Sequence, residues 1–255
     1  NPDGPADPII VHPDVRRMLL TQKSIAEGGR ALISYLAQLV DIGHTEKDDA
    51  IKADAETKLA LLTPIAKAFL SELGFECTTH GVQIFGGHGY IKEWGMEQLM
   101  RDTKISCIYE GTTGIQALDL LARKIIGTQG EILKPFAKDV TAFCQENVDN
   151  AAMAEFIQPI MAYAQEWHEI TLSIGHKAIK NPDEIGGASV DYLMYAGYVT
   201  LAYFWAKMAK VAQVKLAEGT TDHAFYQAKI NTARFFIQRM LPRAKGHAAC
   251  IENGV

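Results

Sequence analysis

One carboxylate in this sequence has surroundings suited to proton-transfer chemistry. Glu110 follows an apolar run over residues 105–109 and precedes Gly111, just before a helix whose cap is read as Thr112. Apolar burial raises a carboxyl group above its reference value of about 4.3, and a glutamate tuned upward works as a general base near neutral pH. Glycine beside it lets a ligand approach the backbone closely. The same spacing also suits a capping-box or surface glutamate, and spacing alone leaves both readings open. Upstream stand Gln83-Ile84-Phe85-Gly86-Gly87-His88-Gly89-Tyr90 and Met100-Arg101-Asp102. Glycines expose backbone N–H groups that can receive phosphate oxygens. Arg101 and Asp102 read as structural, joined by a salt bridge.

Other chemistries find no support. A di-iron bundle needs Glu-x-x-His pairs projecting inward, and none of the 8 histidines has Glu three residues before it. No HExxH motif and no Gly-x4-Gly-Lys-Ser/Thr loop occurs. Gly87-His88-Gly89 begins like a dinucleotide fingerprint, but Lys92 stands where a third glycine belongs. Cys77, Cys107, Cys144 and Cys250 form no CxxC pair. They read as ordinary reduced thiols, which fits a cytoplasmic compartment, and no metal site is expected. His168, between Glu166 and Glu169, and His80, near Cys77, read as solvent-facing or hydrogen-bonded histidines rather than ligands.

The elements that must position these residues read as helices nearly throughout. Residues 13–40 carry Val15, Met18, Leu19, Ala26, Ile33, Leu36 and Val40 at three-to-four spacing, the signature of one buried face. Gly28-Gly29 within it suggests close helix–helix packing. Residues 50–62 suit a short helix, and Thr63-Pro64 reads as cap and first-turn proline of a new one reaching 82–85. A short helix is expected over 96–102, irregular chain over 105–109, and a helix over 112–126. Four amphipathic stretches follow near 131–148, 152–179, 183–217 and 222–241. Stripes are predicted at Ile157, Ile160, Ala164, Trp167, Thr171 and Gly175, and at Val190, Leu193, Gly197, Leu201, Phe204, Met208 and Val211. No alternating strand pattern is found. The favoured boundary, Gly127-Thr128-Gln129-Gly130, divides the chain into residues 1–126 and 127–255. The fold class expected is all-α, a four-helix-bundle-like domain followed by a second helical bundle.

The 255 residues carry 25 Lys+Arg against 30 Asp+Glu, a net charge of −5. A general nucleic-acid binder needs a basic face, so no nucleic-acid partner is expected. No apolar run reaches the ~18 residues of a membrane span, so no membrane partner is expected either. With 48% hydrophobic and 22% charged residues the composition is that of a globular chain. The loop-like start Asn1-Pro2-Asp3-Gly4-Pro5 reads as a piece of a longer protein.

Residues 63–126 resemble the C-terminal helical domain of the acyl-CoA dehydrogenases. The resemblance is carried, in order, by Ile65-Ala66-Lys67-Ala68-Phe69, Gln83-Ile84-Phe85-Gly86-Gly87-His88-Gly89-Tyr90, Leu99-Met100-Arg101-Asp102-Thr103-Lys104-Ile105 and Ile108-Tyr109-Glu110-Gly111-Thr112. Residues 13–40 resemble the preceding bundle helix more loosely. The region after residue 126, with Thr112-Thr113-Gly114-Ile115-Gln116-Ala117-Leu118-Asp119-Leu120, resembles the extra helical region of a larger subgroup.

The resemblance implies an FAD-dependent desaturation of an acyl-CoA thioester between Cα and Cβ. It assigns Glu110 as the base that removes the α-proton, with its own backbone N–H as one donor to the thioester oxygen. It places Tyr109 and Gly111 beside the thioester. Gln83, Gly86 and Gly87 fall on the segment that contacts the adenosine-pyrophosphate part of FAD, bound mainly by a neighbouring subunit. Thr112 and Thr113 fall near FAD in the subunit's own site. Gly114 stands where many relatives carry Gln, so no side-chain contact to FAD is expected there. Electron-transfer flavoprotein is the implied electron acceptor, and a homo-oligomer, dimer or tetramer, the implied assembly. The family's N-terminal helical domain and central β-domain have no counterpart here, so the chain is expected to bind FAD weakly or not at all and to be inactive alone. The rival reading is a non-catalytic helical assembly module. Its second bundle has enough aromatic residues (Phe136, Phe143, Trp167, Tyr198, Phe204, Trp205, Phe235, Phe236) to leave some for an interface, although core is their default place.

Overall fold

A computed structural model describes residues 3–254; the loop reading of Asn1 and Pro2 lies outside them. Among the described residues ten α-helices follow one another: α1 (Pro13–Thr45), α2 (Asp49–Phe85), α3 (Gly87–Tyr90), α4 (Met96–Lys104), α5 (Thr113–Leu118), α6 (Lys134–Asn147), α7 (Ala154–Lys180), α8 (Asp183–Ala217), α9 (His223–Phe235) and α10 (Ala244–Asn253). Two π-helical segments, Asp119–Ile125 and Phe236–Met240, continue α5 and α9, and short 3-10 turns fill most of the connections. No strand occurs among the described residues, so the chain is all-α. Among the described residues no helix is long and apolar enough to cross a membrane.

The buried face of α1 is not the stripe expected from its large aliphatics. Met18 and Leu36 are buried, but Leu19, Ala26, Ile33 and Val40 are exposed; the inner face runs instead through Thr21, Ile25, Gly28, Leu32 and Leu39. The glycines decide this. A Cβ at Gly28 would lie 2.7 Å from Trp205 Nε1 of α8, and one at Gly29 3.1 Å from a Leu70 methyl of α2. Two neighbouring helices approach the Gly28-Gly29 backbone, so this side must face inward. The Trp205 indole N–H completes the fit by donating to the Ser24 carbonyl at 3.0 Å.

Thr63-Pro64 does not start a helix. α2 is continuous from Asp49 to Phe85, with Pro64 inside it and Asp48 as its cap, accepting from the Ala50 and Ile51 amides. An interior proline lacks the N–H that would bond the carbonyl four residues back. Here that carbonyl belongs to Ala60, and Lys124 from the π segment donates to it at 2.6 Å. The Thr63 hydroxyl turns back to Leu59 O at 2.7 Å instead of capping.

The stretch read as an amphipathic stripe in α8 is apolar all round. Every residue from 195 to 206 is buried, whereas Val190 and Val211 at the ends of the expected stripe are exposed. A helix apolar on every side belongs in the centre of a bundle. α8 packs against α1, α2, α5, α7, α9 and α10. Residues before and after the Gln129-Gly130 turn therefore share one contiguous core. Of the eight aromatics singled out above for an interface, six are buried in that core, and Phe143 and Phe235 pack against it partly buried. They are accounted for by packing, not by an open interface. Helix α10 was not anticipated. Its short sequence, Ala244 to Asn253, buries only Ala244, Ala248 and Ile251.

Candidate active site

Gly86 ends α2 with φ 60 and ψ −143, a combination open to glycine alone, and the single turn α3 follows. A Cβ built at Gly86 or Gly87 would meet nothing within 4 Å. Both glycines are exposed, so they leave an open stretch of backbone. Gln83, one turn earlier, lines a groove of about 720 Å³ with Tyr90, Arg101, Lys104, Ile105 and Ile108. The expected Arg101–Asp102 pair is absent: Asp102 accepts instead from Gln98 Nε2 at 2.6 Å. Adjacent residues on a helix do not face each other, so Arg101 is left to the groove. Lys104 lies 4.8 Å from the Phe75 ring centroid and 4.0 Å from Glu72.

The chain leaves α4 through a 3-10 turn, Ile105–Cys107, and reaches α5 by a short loop holding Tyr109, Glu110 and Gly111. Glu110 has φ 52 and Gly111 φ 96. A left-handed conformation costs a non-glycine residue about 1–2 kcal/mol and persists only where the surroundings enforce it. The Glu110 side chain is exposed, as are Ile108 and Tyr109. The burial expected of it is thus not provided by this chain, because the apolar run beside it turns outward as well. No hydrogen bond engages the Glu110 N–H among the described residues.

Side chains of Lys67, Gln116, Thr112 and Thr113 hold this loop and the start of α5. Lys67 of α2 donates to the Ser106 carbonyl at 2.9 Å and to the Gly111 carbonyl. Gln116 Nε2 reaches Glu110 O at 3.4 Å, and a Cβ on Gly111 would collide with the same amide. Thr113 donates to Glu72 Oε1 at 2.5 Å, and Thr112 caps α5 by accepting from the Ile115 amide at 3.3 Å. Cys107, buried under the loop, has its thiol pushed up by burial and by the Glu72 charge, against a smaller opposing pull from Lys104. It stays protonated and is no rival nucleophile.

Tyr109, Glu110, Gly111, Thr112 and Thr113 thus form one structured turn, while Gln83, Gly86 and Gly87 lie at the far end of α2. Ile105 and Ile108, just before the turn, share a groove with Gln83. The Gln83 amide and the Arg101 and Lys104 cations offer donors to an anionic, phosphate-bearing group, while the Gly86 N–H already donates to the Gln83 carbonyl at 3.0 Å and Glu97 lines the same groove. Lys67, Glu72 and Gln116 were not anticipated as site residues. The available signal was Lys67 itself, a lone charge inside the apolar run Pro64-Ile65-Ala66-Lys67-Ala68-Phe69.

Two family models match the chain: "Acyl-CoA dehydrogenase, C-terminal domain" over residues 4–126 and "Acetyl-CoA dehydrogenase C-terminal like" over residues 136–255. The chain is 38% identical to 3-methylmercaptopropionyl-CoA dehydrogenase of Ruegeria pomeroyi, over 99% of its own length and 43% of that protein. It is 32% identical to the broad-specificity linear acyl-CoA dehydrogenase FadE5 of Mycobacterium tuberculosis, over 98% of its length and 42% of that protein. The chain therefore spans less than half the length of these relatives. A crystal structure of an acyl-CoA dehydrogenase complexed with FAD from Bacillus anthracis superposes with a TM-score of 0.67 at 19% identity, covering 94% of this chain and 42% of that one. Caenorhabditis elegans ACDH-11 in complex with C11-CoA superposes with a TM-score of 0.65 at 18% identity, covering 85% of this chain and 34% of that one.

Proposed function

The chain belongs to the acyl-CoA dehydrogenase family, and from that premise we propose that it carries the catalytic base and part of the flavin site of an enzyme that desaturates acyl-CoA thioesters at Cα–Cβ. The observation that carries this reading is the Glu110 turn: a carboxylate held in a left-handed conformation with its own N–H unengaged. Residues held there against their preference cluster at active sites; Gln129, the other such non-glycine residue among those described, sits in a connecting turn.

In this reading the Glu110 carboxylate takes the α-proton, and the Glu110 N–H donates to the thioester oxygen as negative charge develops on it. A positioned donor of this type contributes about 3–4 kcal/mol to the transition state. Tyr109 and Gly111 flank the thioester, and the space that a Gly111 Cβ would take is filled by the Gln116 amide that reaches Glu110 O. FAD, when bound, supplies the acceptor for the β-hydride. Gln83 and the backbone of Gly86 and Gly87 would hold its adenosine-pyrophosphate part, with Arg101 and Lys104 adding positive charge. Thr112 and Thr113 would lie near it in the subunit's own site. Rest of the enzyme, acyl-CoA, electron-transfer flavoprotein as acceptor and a dimer or tetramer complete the proposal. The C11-CoA complex of ACDH-11 and the FAD complex of the Bacillus enzyme support those ligand classes.

The test is Glu110→Gln in the full-length enzyme. Turnover should drop at least about 10²–10⁴-fold while the flavin spectrum stays that of bound FAD. A near-normal rate would remove Glu110 as the base. This chain by itself should purify without stoichiometric flavin absorbance, since its half of the site is open to solvent.

A further inference from the structure

Lys67 stands in α2 with Pro64, Ile65, Ala66, Ala68 and Phe69 buried around it. An ammonium in such a run needs partners, because a charge taken from water without hydrogen bonds is costly. Its partners are two backbone carbonyls: Ser106 at 2.9 Å and Gly111, 39 and 44 residues away in sequence. The same Nζ lies 5.9 Å from the centroid of the Tyr109 ring. One cation thus grips the chain on both sides of Tyr109 and Glu110. Among the described residues the only other side-chain tie to the Glu110 peptide is the Gln116 amide, at a long 3.4 Å. Hydrogen bonds from an ionised donor are roughly twice as strong as neutral ones, and Lys67 makes two of them. It is the dominant restraint on a turn whose left-handed residue opposes its own geometry.

We propose that Lys67 is the positioning residue for the base: by clamping the Ser106 and Gly111 carbonyls it holds the Glu110 carboxylate and N–H in place before substrate arrives. The proposal rests on the reading of Glu110 as base. The step it serves is defined: the Cα–H bond breaks, an O–H bond forms on Glu110, and the electron pair moves toward the thioester oxygen. Preorganising that step matters because misplacement by about 1 Å can cost about 10²-fold.

The experiment uses the full-length flavoenzyme and an acyl-CoA in which sulfur replaces Cβ, so that an α-proton can leave but no β-hydride can. Exchange of the α-hydrogen for deuterium in D2O is followed by mass spectrometry, alongside bound FAD, Tm and the KM for an ordinary acyl-CoA. In Lys67→Met, exchange should slow about 10–100-fold with FAD content and KM unchanged. Exchange at the wild-type rate with FAD in place overturns the proposal. Should Lys67→Met lose FAD, Lys67→Gln, a shorter and uncharged donor, is scored the same way. Slower exchange with FAD retained supports positioning; an unchanged rate, or loss of FAD again, makes Lys67 a structural residue only. Glu110→Gln serves as the control. Its failure to stop exchange defeats the base assignment itself, whereas normal exchange in Lys67→Met alone defeats only the clamp.

Discussion

Single residues in this fold are set by close approach. Gly28 sits where any side chain would strike Trp205, and Gly197 sits where one would strike the Phe69 ring. Phe69 and Trp205 are among the largest fully buried side chains, and neither can withdraw without opening the core. Overpacking of this sort costs about 1–3 kcal/mol, occasionally more. Gly28→Ala and Gly197→Ala should each lower stability by that amount in chemical denaturation; a neutral Gly197→Ala would mean that the α2–α8 contact relaxes freely. A second residue-scale prediction concerns Glu27. Burial pushes its carboxyl up, but hydrogen bonds and charge from Lys229 at 2.8 Å and Lys23 at 2.5 Å outweigh burial and leave it below its usual 4.5. A carboxyl lowered on folding adds stability that is present above 4.5 and is lost as pH falls through the folded value. Below pH 4.5 the Tm of the wild type should therefore fall more steeply than that of Glu27→Gln; parallel curves would show that the pair contributes nothing.

Among the elements, α2 is the one whose continuity needs outside help. Pro64 frees the Ala60 carbonyl, and Lys124 takes it up at 2.6 Å while also meeting Asp119 at 2.9 Å. Leaving a fully buried acceptor unsatisfied costs about 1–3 kcal/mol, and Ala60 is half-buried. Lys124→Met should therefore cost about 1 kcal/mol, the lower end of that range, in the wild type and clearly less in a Pro64→Ala background, where the helix supplies its own N–H. Equal costs in the two backgrounds would dissociate Lys124 from the proline. The element matters to function because α2 carries Lys67 and Glu72 against the Glu110 turn and Gln83 at its far end. The sequence motifs of α2 are legible, but Thr63-Pro64 has the local pattern of a start signal while Pro64 lies inside the helix. The partner that makes it tolerable lies 64 residues away, beyond any local pattern.

At the level of the whole molecule, the segment after residue 130 completes the core of the segment before it. α8 covers α1 and α2, Trp205 bonds to Ser24, and Lys58 joins Asp54 to Asp139 of α6 at 2.6 Å each. Burial draws the Lys58 ammonium down, yet the two carboxylates outweigh it and leave it raised. A chain ending at Ile126 would uncover Phe69, which packs against Gly197 and Tyr198 of α8 and contributes about 1.5–3 kcal/mol by burial. It should show no cooperative unfolding transition by circular dichroism and should sediment as aggregates. A monodisperse, cooperatively folding fragment would show that the earlier helices need no cover from α8.

Helix content, the cap at Thr112 and the turn around Glu110 follow from local order in the sequence: apolar spacing, a threonine before a helix, glycine after glutamate. These are short-range features, written within a few residues of where they act. The orientation of α1, the all-round burial of α8 and the hold of Lys67 on the Glu110 turn were decided only by tertiary packing. Each depends on which distant backbone approaches a glycine, a central helix or an unpaired carbonyl, and that contact has no signature in the residues nearby.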